Sequence, residues 1–260
     1  MSAREGERQG EPRAKGDHFS SVSAAYSAFR PRYPRALFEF LTAVAPRHRL
    51  AWDCGAGTGQ ATVNLAEYFD RVIGTDISAE QVARAPRHEK IKWLVCPAES
   101  TPLASGSVDL VTVAQALHWF DHARFNAEVR RVGAPRAVIA AWAYGAPRMD
   151  GEVGAVLRRA MFDTLGPYWP PERRHVYDEY RSIPFPFERI ASPVLSLEEE
   201  WSAAQVAGYV RTWSATTTYR AAHVEDPVVA IERELAVVWG DPDRPRRIAW
   251  PLIVIAGQIG

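Results

Sequence analysis

The sequence predicts a doubly wound α/β fold, with a mostly parallel, seven-stranded sheet, helices on both of its faces and a helical cap insertion. Short apolar segments alternate with amphipathic segments from Arg49 to Tyr144, which is the pattern of strands alternating with helices. These segments are apolar throughout, as expected of strands buried on both faces. After Tyr144 the pattern changes, and residues 145–190 become rich in arginine, proline and aromatic side chains, which indicates an insertion.

The residues place each element in turn. Strands are predicted where the apolar segments lie, at 48–54, 71–77, 90–96, 107–116 and 136–144. Helices are predicted between them at 58–69, 78–85 and 121–132. Ser78 and Asp121 fit N-caps, because their side-chain oxygens can accept hydrogen bonds from free backbone N–H groups, and Pro86 would end the second helix. After the insertion we expect a returning strand at 191–201, helices at 202–213 and 226–239, and a last strand at 246–258.

The chain divides into a short tail and one domain. Residues 1–18 are expected to be a disordered tail, because they are rich in charge and lack the apolar middle of a signal peptide. Residues 19–260 are expected to form a single domain, in which 145–190 and about 202–225 are cap or lid elements. A cap over the carboxyl edge of the sheet would cover the place where such folds bind ligands. A surface elaboration without function is the alternative.

Composition excludes several classes of function. Lys and Arg number 31, as do Asp and Glu, and this balance argues against nucleic acid as a partner. Apolar segments fall short of the roughly 20 residues that span a bilayer, so we expect a cytoplasmic protein without membrane association. The two cysteines, Cys54 and Cys96, are expected to be buried thiols, and no residue spacing suggests a metal site. Oligomeric state is left open.

The segment AWDCGAGTGQ (51–60) places three glycines between a strand and a helix. It lacks the Lys of a nucleoside-triphosphate loop, and Gln60 stands where a dinucleotide loop requires its third glycine. Asp53, just before the glycines, would repel a pyrophosphate and attract a cation such as the sulfonium or ammonium group of S-adenosylmethionine. Asp76, at the end of the second strand, suits the ribose hydroxyls of either cofactor. An NAD(P)-binding oxidoreductase and a non-catalytic cofactor-binding protein are the alternatives.

Four segments in order, DCGAGTGQ, GTDIS, AES and AQALHWFD, resemble the motifs of class I S-adenosylmethionine-dependent methyltransferases of the type 11 group, whose fold is Rossmann-like. With FSSVSAAYSAFRPRYP in front of them, they are most similar to the trans-aconitate methyltransferase-like branch. The resemblance covers roughly residues 20–145 well and the remainder loosely. It implies that S-adenosyl-L-methionine is the cofactor.

The resemblance also implies a set of cofactor-binding residues at matching positions: Tyr26, Arg30, Tyr33, Asp53, Gly55, Gly57, Asp76, Ile77, Ala98, Glu99, Ala114 and Gln115. Within this set Asp76 would bind the ribose and Ile77 would pack on the adenine. Members of the family often have an acid before the Ala98–Glu99 pair to accept the adenine amino group, whereas this chain has Pro97.

The acceptor is expected to be a small molecule, and methylation of a carboxylate oxygen is one possible reaction. His118, Trp119 and Trp213 are expected to face the acceptor, with His118 positioning it or acting as a base. A polycarboxylate would need cations from a set of which we expect one or two to take part: Arg148, Arg158, Arg159, Arg173, Arg174, Arg181 and Arg211. The aromatic residues of 162–187 suit a hydrophobic acceptor equally well, or an ordinary core.

Overall fold

The computed structural model describes residues 31–241 and 243–260. Its strands are β1 (Leu50–Cys54), β2 (Arg71–Asp76), β3 (Ile91–Val95), β4 (Val108–Ala114), β5 (Gly133–Tyr144), β6 (Glu188–Ile190), β7 (Leu195–Trp201) and β8 (Arg246–Gln258). Its α-helices are α1 (Arg35–Val44), α2 (Gln60–Leu65), α3 (Ala79–Arg84), α4 (His122–Val132), α5 (Gly151–Arg158), α6 (Arg174–Tyr177), α7 (Ala203–Arg211), α8 (Ser214–Ala222) and α9 (Pro227–Trp239). A π-helical turn (Arg159–Thr164) continues α5, and 3₁₀ turns occupy Leu117–Trp119, Gly166–Tyr168 and Pro171–Arg173.

All eight strands belong to one sheet, in the order β3-β2-β1-β4-β5-β8, with β6 and β7 both paired to β8. Strands β1 to β5 pair with one another in parallel. Strand β8 pairs with β5 in the antiparallel direction. Strand β6 pairs with 256–258 of β8 and β7 with 246–252, so the two short strands follow one another along a single long partner. The prediction of a seven-stranded, mostly parallel sheet is therefore confirmed. The sheet has seven strand positions side by side, and β6 and β7 together occupy the last of them.

Both faces of the central sheet are buried, as the apolar strands predict, whereas the edge strand β3 contains no buried residue. Along β5, Val138, Ala140 and Trp142 belong to one apolar core and Ile139 and Ala141 to the other, because successive side chains of a strand point to opposite faces. Helices α1 and α2 contribute to the first core, whereas α4 contributes to the second. Helices therefore cover both faces of the sheet.

The predicted N-caps are confirmed. The Ser78 side chain accepts a hydrogen bond from the backbone N–H of Gln81, and that of Asp121 accepts one from Arg124. Each cap fixes where its helix begins, directly after the carboxyl end of a strand or of the turn that follows it. The sequence placed both helix starts to the residue.

The region after β5 extends the first apolar core with aromatic rings. The Tyr209 ring packs against those of Trp201, Trp213 and Trp250, and Trp201 also packs against Trp250, with ring centroids 5.0 to 5.6 Å apart. The Trp169 ring packs on that of Trp213, with centroids 5.5 Å apart. Helices α5 and α7 pack against α9. Over the ranges given above, no helix is both long and apolar enough to cross a membrane.

Candidate functional site

A cavity of about 390 Å³ lies at the carboxyl ends of the parallel strands. Its wall is built from the residues that follow β1, β2, β3 and β4, together with Tyr33 and with Tyr144 at the end of β5. Strands β1 and β4 are neighbours in the centre of the sheet, and the strand order reverses between them. Folds of this class bind ligands at such a switch point, because the loops on the two sides diverge and leave a crevice.

The three glycines after β1 differ in what a side chain at each position would contact. All adopt positive φ angles, of 65° at Gly55, 57° at Gly57 and 90° at Gly59. A Cβ at Gly55 would lie 2.6 Å from Ala116 Cβ, and one at Gly59 would lie 2.4 Å from the Trp93 ring, so protein packing requires both glycines. A Cβ at Gly57 would meet no atom of the described residues within 4 Å. Gly57 therefore presents bare backbone to the cavity, where a ligand can approach closely.

Asp76 lies at the end of β2 and holds the glycine loop in place. Its Oδ2 accepts a hydrogen bond from the Gly57 backbone N–H at 2.8 Å, and its Oδ1 accepts one from the Ser78 N–H at 2.8 Å. A carboxylate has about four acceptor positions, so both oxygens keep capacity for a ligand hydroxyl. The next residue, Ile77, is 53% exposed and lines the cavity with an apolar surface.

Asp53 corrects the sequence-based expectation. Its side chain is fully buried and absent from the cavity wall, whereas we expected the carboxylate to face the ligand. Its two oxygens accept hydrogen bonds from Thr62 Oγ1 at 2.5 Å and Thr112 Oγ1 at 2.8 Å, which join β1 to α2 and β4. Burial raises the pKa of Asp53 to about 6, although both hydroxyls lower it. The carboxylate supports the loop from below.

Gln115, directly after β4, has an unusual conformation for a residue with a side chain. Its φ is 59°, and its backbone N–H donates to the Trp142 carbonyl at 2.8 Å. Its side-chain Nε2 is buried without a hydrogen-bond partner among the described residues, and the residue lines the cavity. Buried donors are normally paired, and strained backbone gathers where ligands bind, so a ligand acceptor would satisfy this amide. Ala114 and Ala116 border it in the same wall.

The loop after β3 supplies Cys96, Pro97, Ala98 and Glu99 to the wall. Glu99 Oε1 accepts a hydrogen bond from the Asp121 backbone N–H at 2.9 Å, so this carboxylate ties the loop to the start of α4. Asp76 and Glu99 are the acidic side chains of the wall, and the wall includes no Lys or Arg from the part of the chain that the structure describes. The cavity is therefore suited to a cationic ligand and unsuited to a pyrophosphate.

The segment before α1 also reaches the site. Tyr33 lines the cavity and packs edge-on against Trp142, with ring centroids 5.6 Å apart. The Gln60 side chain, at the first position of α2, donates to the Pro31 carbonyl at 2.8 Å and ties this segment to the glycine loop. Tyr26 and Arg30, the other expected contacts of this segment, lie outside the described residues.

His118 and Trp119 follow β4 but have different surroundings. Trp119 lines the cavity, whereas His118 is 8% exposed and shares a 3.1 Å hydrogen bond from Nδ1 with the Tyr180 hydroxyl. Burial, and then the nearby charge of Arg173, lowers the pKa of His118 to about 3. A neutral imidazole that resists protonation is a poor proton acceptor, so the structure favours the positioning role over the base role.

Trp213 is placed away from the cavity, which corrects our expectation that it faces the acceptor. Its side chain is 2% exposed and packs against Trp169 and Tyr209 in the first apolar core. More broadly, every wall residue lies between Tyr33 and Tyr144, so neither 145–190 nor 202–225 contributes to the wall. The turn Pro171–Arg173, within 145–190, packs against the turn Leu117–Trp119 beside the site.

Eleven residues of the wall are not among those predicted from the sequence, and most are neighbours of predicted ones: Ala56, Thr58, Gln60, Ala61, Ser78, Gln81, Cys96, Pro97, Ala116, Phe120 and Tyr144. Two of these had a signal in the sequence. Tyr144 ends the fifth predicted strand, and the carboxyl ends of parallel strands share one edge of the sheet. Gln81 lies three residues after Ser78, on the same face of α3.

Comparison with known proteins gives consistent results. A family model described as a methyltransferase domain matches residues 52–141. A Dictyostelium discoideum protein described as a candidate methyltransferase is 35% identical over 231 residues, which are 87% of this chain and 88% of that protein. A Saccharomyces cerevisiae protein described as a probable S-adenosylmethionine-dependent methyltransferase is 26% identical over 244 residues, which are 80% and 84% of the two chains. The solved structure of a candidate type II methyltransferase from Anaeromyxobacter dehalogenans is 48% identical, with a TM-score of 0.83, and the match covers 88% of this chain and 98% of that one.

Proposed function

Because this chain belongs to the methyltransferase family, we propose that it transfers a methyl group from S-adenosyl-L-methionine to a small-molecule acceptor. The observation that carries the proposal is the composition of the cavity wall. It combines bare backbone at Gly57 with two carboxylates and an unpaired amide donor at Gln115. Such a wall suits a ligand that has cationic groups, hydroxyl groups and a carboxylate together.

S-adenosylmethionine fits these residues group by group. Asp76 would accept the ribose hydroxyls, Ile77 would cover the adenine ring, and Gly57 would let the amino-acid part lie against the backbone. The Gln115 amide, which has no partner within 31–241 and 243–260, would donate to an oxygen of the cofactor. Tyr33, Ala98, Glu99 and Ala114 complete the predicted contacts that line the cavity.

When bound, S-adenosylmethionine would supply a methyl group on a sulfonium, which passes to a nucleophilic atom as the S–CH₃ bond breaks and the bonding electrons return to sulfur. The protein would contribute alignment and exclusion of water, because such a displacement needs its two reacting atoms in line. Asp53 would act indirectly by joining β1, β4 and α2 beneath the loop. Trp119 and Phe120 would bound the acceptor side of the wall.

We further propose that the nucleophile is a carboxylate oxygen. His118 is buried and resists protonation, so it is poorly suited to remove a proton from a hydroxyl or an ammonium group. A carboxylate is already nucleophilic at neutral pH and loses no proton on methylation. Membership of the trans-aconitate methyltransferase-like branch is part of the same proposal, and it is supported by the segments FSSVSAAYSAFRPRYP and AQALHWFD.

The alternative of an NAD(P)-dependent oxidoreductase is disfavoured by the wall. Asp76 suits the ribose of either cofactor, but Gln60 stands in the wall where a dinucleotide loop requires its third glycine, and the described wall offers no basic side chain to a pyrophosphate. A non-catalytic protein with the same fold would bind the cofactor but show no turnover. Measuring cofactor binding and acceptor methylation separately therefore distinguishes it from an active methyltransferase.

Titration calorimetry with S-adenosylhomocysteine, and in parallel with NAD and NADP, tests the cofactor. We expect the protein to bind S-adenosylhomocysteine but neither NAD nor NADP. The variant Asp76→Ala should bind S-adenosylhomocysteine more weakly, because it loses both the acceptors for the ribose hydroxyls and the support of the loop. A screen of small acceptors that measures formation of S-adenosylhomocysteine then tests catalysis. Binding of a nicotinamide dinucleotide instead would reject the proposal, and tight binding without turnover over the whole panel would favour the non-catalytic alternative.

A further inference from the structure

An aromatic and cationic cluster lies in the cap beside the cavity. We define the Arg173 cluster as Phe162, Trp169, Arg173 and Tyr177. The Arg173 guanidinium carbon lies 4.1 Å from the centroid of the Trp169 ring and 5.4 Å from that of Tyr177. Its Nε donates a 3.0 Å hydrogen bond to the Tyr177 hydroxyl. Two rings and one hydrogen bond therefore fix the guanidinium in one orientation.

Among the described residues, Arg173 lacks the ion pair that three other arginines after β5 form. Arg159, Arg181 and Arg211 each form an ion pair with a glutamate. Within 31–241 and 243–260 the ion pairs include none to Arg173, and its Nη1 and Nη2 donate no hydrogen bond to another residue of these ranges. A half-buried, oriented guanidinium thus keeps its bidentate face for a ligand.

The cluster adjoins the acceptor side of the cavity. The turn Pro171–Arg173 packs against the turn Leu117–Trp119, and Trp119 lines the cavity. Besides burial, the positive charge of Arg173 acts on the pKa of His118 and on that of Tyr180, and it lowers both. These two side chains are hydrogen-bonded to each other. An anion bound to Arg173 would therefore lie next to the wall that the acceptor must share with the methyl donor.

The remaining surface of the cluster is apolar. Phe162 is 47% exposed and Tyr177 is 42% exposed, and their ring centroids are 5.8 Å apart. The free Nη donors match the two oxygens of a carboxylate. A phosphate monoester would bring a charge of about −1.5 to −2 at neutral pH, and the buried His118 supplies no second cation to match it.

We propose that the Arg173 cluster is the acceptor subsite, in which Arg173 anchors a carboxylate and the exposed rings of Phe162 and Tyr177 hold an apolar body. The acceptor is therefore a carboxylic acid with an aromatic or alicyclic body. This inference rests on the proposed function, since it names the substrate class of the same site.

Calorimetry in the presence of saturating S-adenosylhomocysteine tests the subsite without turnover. The probes are benzoate, 3-phenylpropionate, 4-phenylbutyrate, trans-cinnamate and cyclohexanecarboxylate, each compared with its primary amide. We expect one or more of the acids to bind more tightly than their amides. Arg173→Met should weaken that binding about 10- to 100-fold, the range for a lost charge-assisted hydrogen-bond pair, and Arg173→Lys should give an intermediate loss.

Arg189→Met is the matched control, because Arg189 also lies over an aromatic ring, Phe185 at 4.4 Å, but belongs to β6 at the edge of the sheet. It should leave the affinity for the acids unchanged, and S-adenosylhomocysteine should bind wild type and all three variants equally. The subsite is refuted if no acid binds better than its amide, or if Arg173→Met and Arg189→Met behave alike. Failure of wild type to bind S-adenosylhomocysteine would instead reject the proposed function, and the subsite with it.

Discussion

Substitution of Gly57 separates the two possible reasons for a glycine in the loop after β1. Gly57 has a φ of 57°, so alanine there is strained by about 1 kcal/mol, although a Cβ would touch no protein atom within 4 Å. In a domain of this size, such a loss lowers the midpoint of thermal unfolding by about 2–4 °C. The new methyl group would point into the space where we place the cofactor. Overpacking of about 1–3 kcal/mol should then weaken S-adenosylhomocysteine binding about 10- to 100-fold.

Gly106→Ala is the matched control for this experiment. Gly106 has a φ of 65°, its Cβ would also meet nothing within 4 Å, and it lies in the turn before β4, outside the cavity wall. Both variants should therefore lose the same stability in a thermal melt, while calorimetry should find weakened binding in Gly57→Ala alone. Equal affinities in the two variants would show that the ligand does not approach the loop at Gly57, and the fit described above would be wrong.

Further predictions concern buried polar groups. The folded-state pKa of Asp53 is about 6 against 3.8, so between these values the folded protein holds a proton that the unfolded chain releases. Wild type should therefore lose about 2 kcal/mol relative to Asp53→Asn as pH rises from 4 to 7 in urea unfolding. A parallel pH dependence in the two proteins would contradict this. Asp109→Ala should cost about 3–5 kcal/mol in the same assay, because the fully buried carboxylate accepts hydrogen bonds from the Arg47 side chain and from two backbone N–H groups at the start of β1; a loss below 1 kcal/mol would refute it. Tyr180→Phe should cost about 1 kcal/mol through its bond to His118 and leave S-adenosylhomocysteine affinity unchanged, so a large loss of affinity would assign His118 a role at the cofactor.

The fold was predictable because its signals are local. The central strands β1 and β4 are buried on both faces and read as continuous apolar segments, and Ser78 and Asp121 mark helix starts with side-chain caps. The antiparallel edge was harder to predict. Strand β6 is only three residues long, and its position depends on pairing with β8, almost seventy residues further along the chain, which no local pattern encodes.

The sequence predicts a wall residue well where the path of the backbone alone brings it to the cavity. It predicts less well where the residue reaches the cavity only if its side chain points in one particular direction. Gly57, Asp76 and Gln115 lie at strand ends and fall in the wall, as the parallel sheet requires. Trp213 was misplaced, because a tryptophan in a cap segment can face either the site or the apolar core. Its contacts with Trp169 and Tyr209 arise from the packing of helices whose mutual arrangement the sequence does not specify.

Asp53 shows how a correct motif can be assigned the wrong physical role. The expectation was that its carboxylate selects a cation by direct contact, but the structure buries it with Thr62 and Thr112. Its charge nevertheless remains relevant, since Asp76 lies near enough to raise the pKa of Asp53 further. A dinucleotide pyrophosphate would therefore have to approach Asp76 and Glu99 in the wall, whereas a sulfonium or ammonium group would gain from both. Discrimination between the two cofactors would thus rest on the field of the whole wall and not on one acid in contact with the ligand, and Asp76 alone does not discriminate, because it suits the ribose hydroxyls of either cofactor.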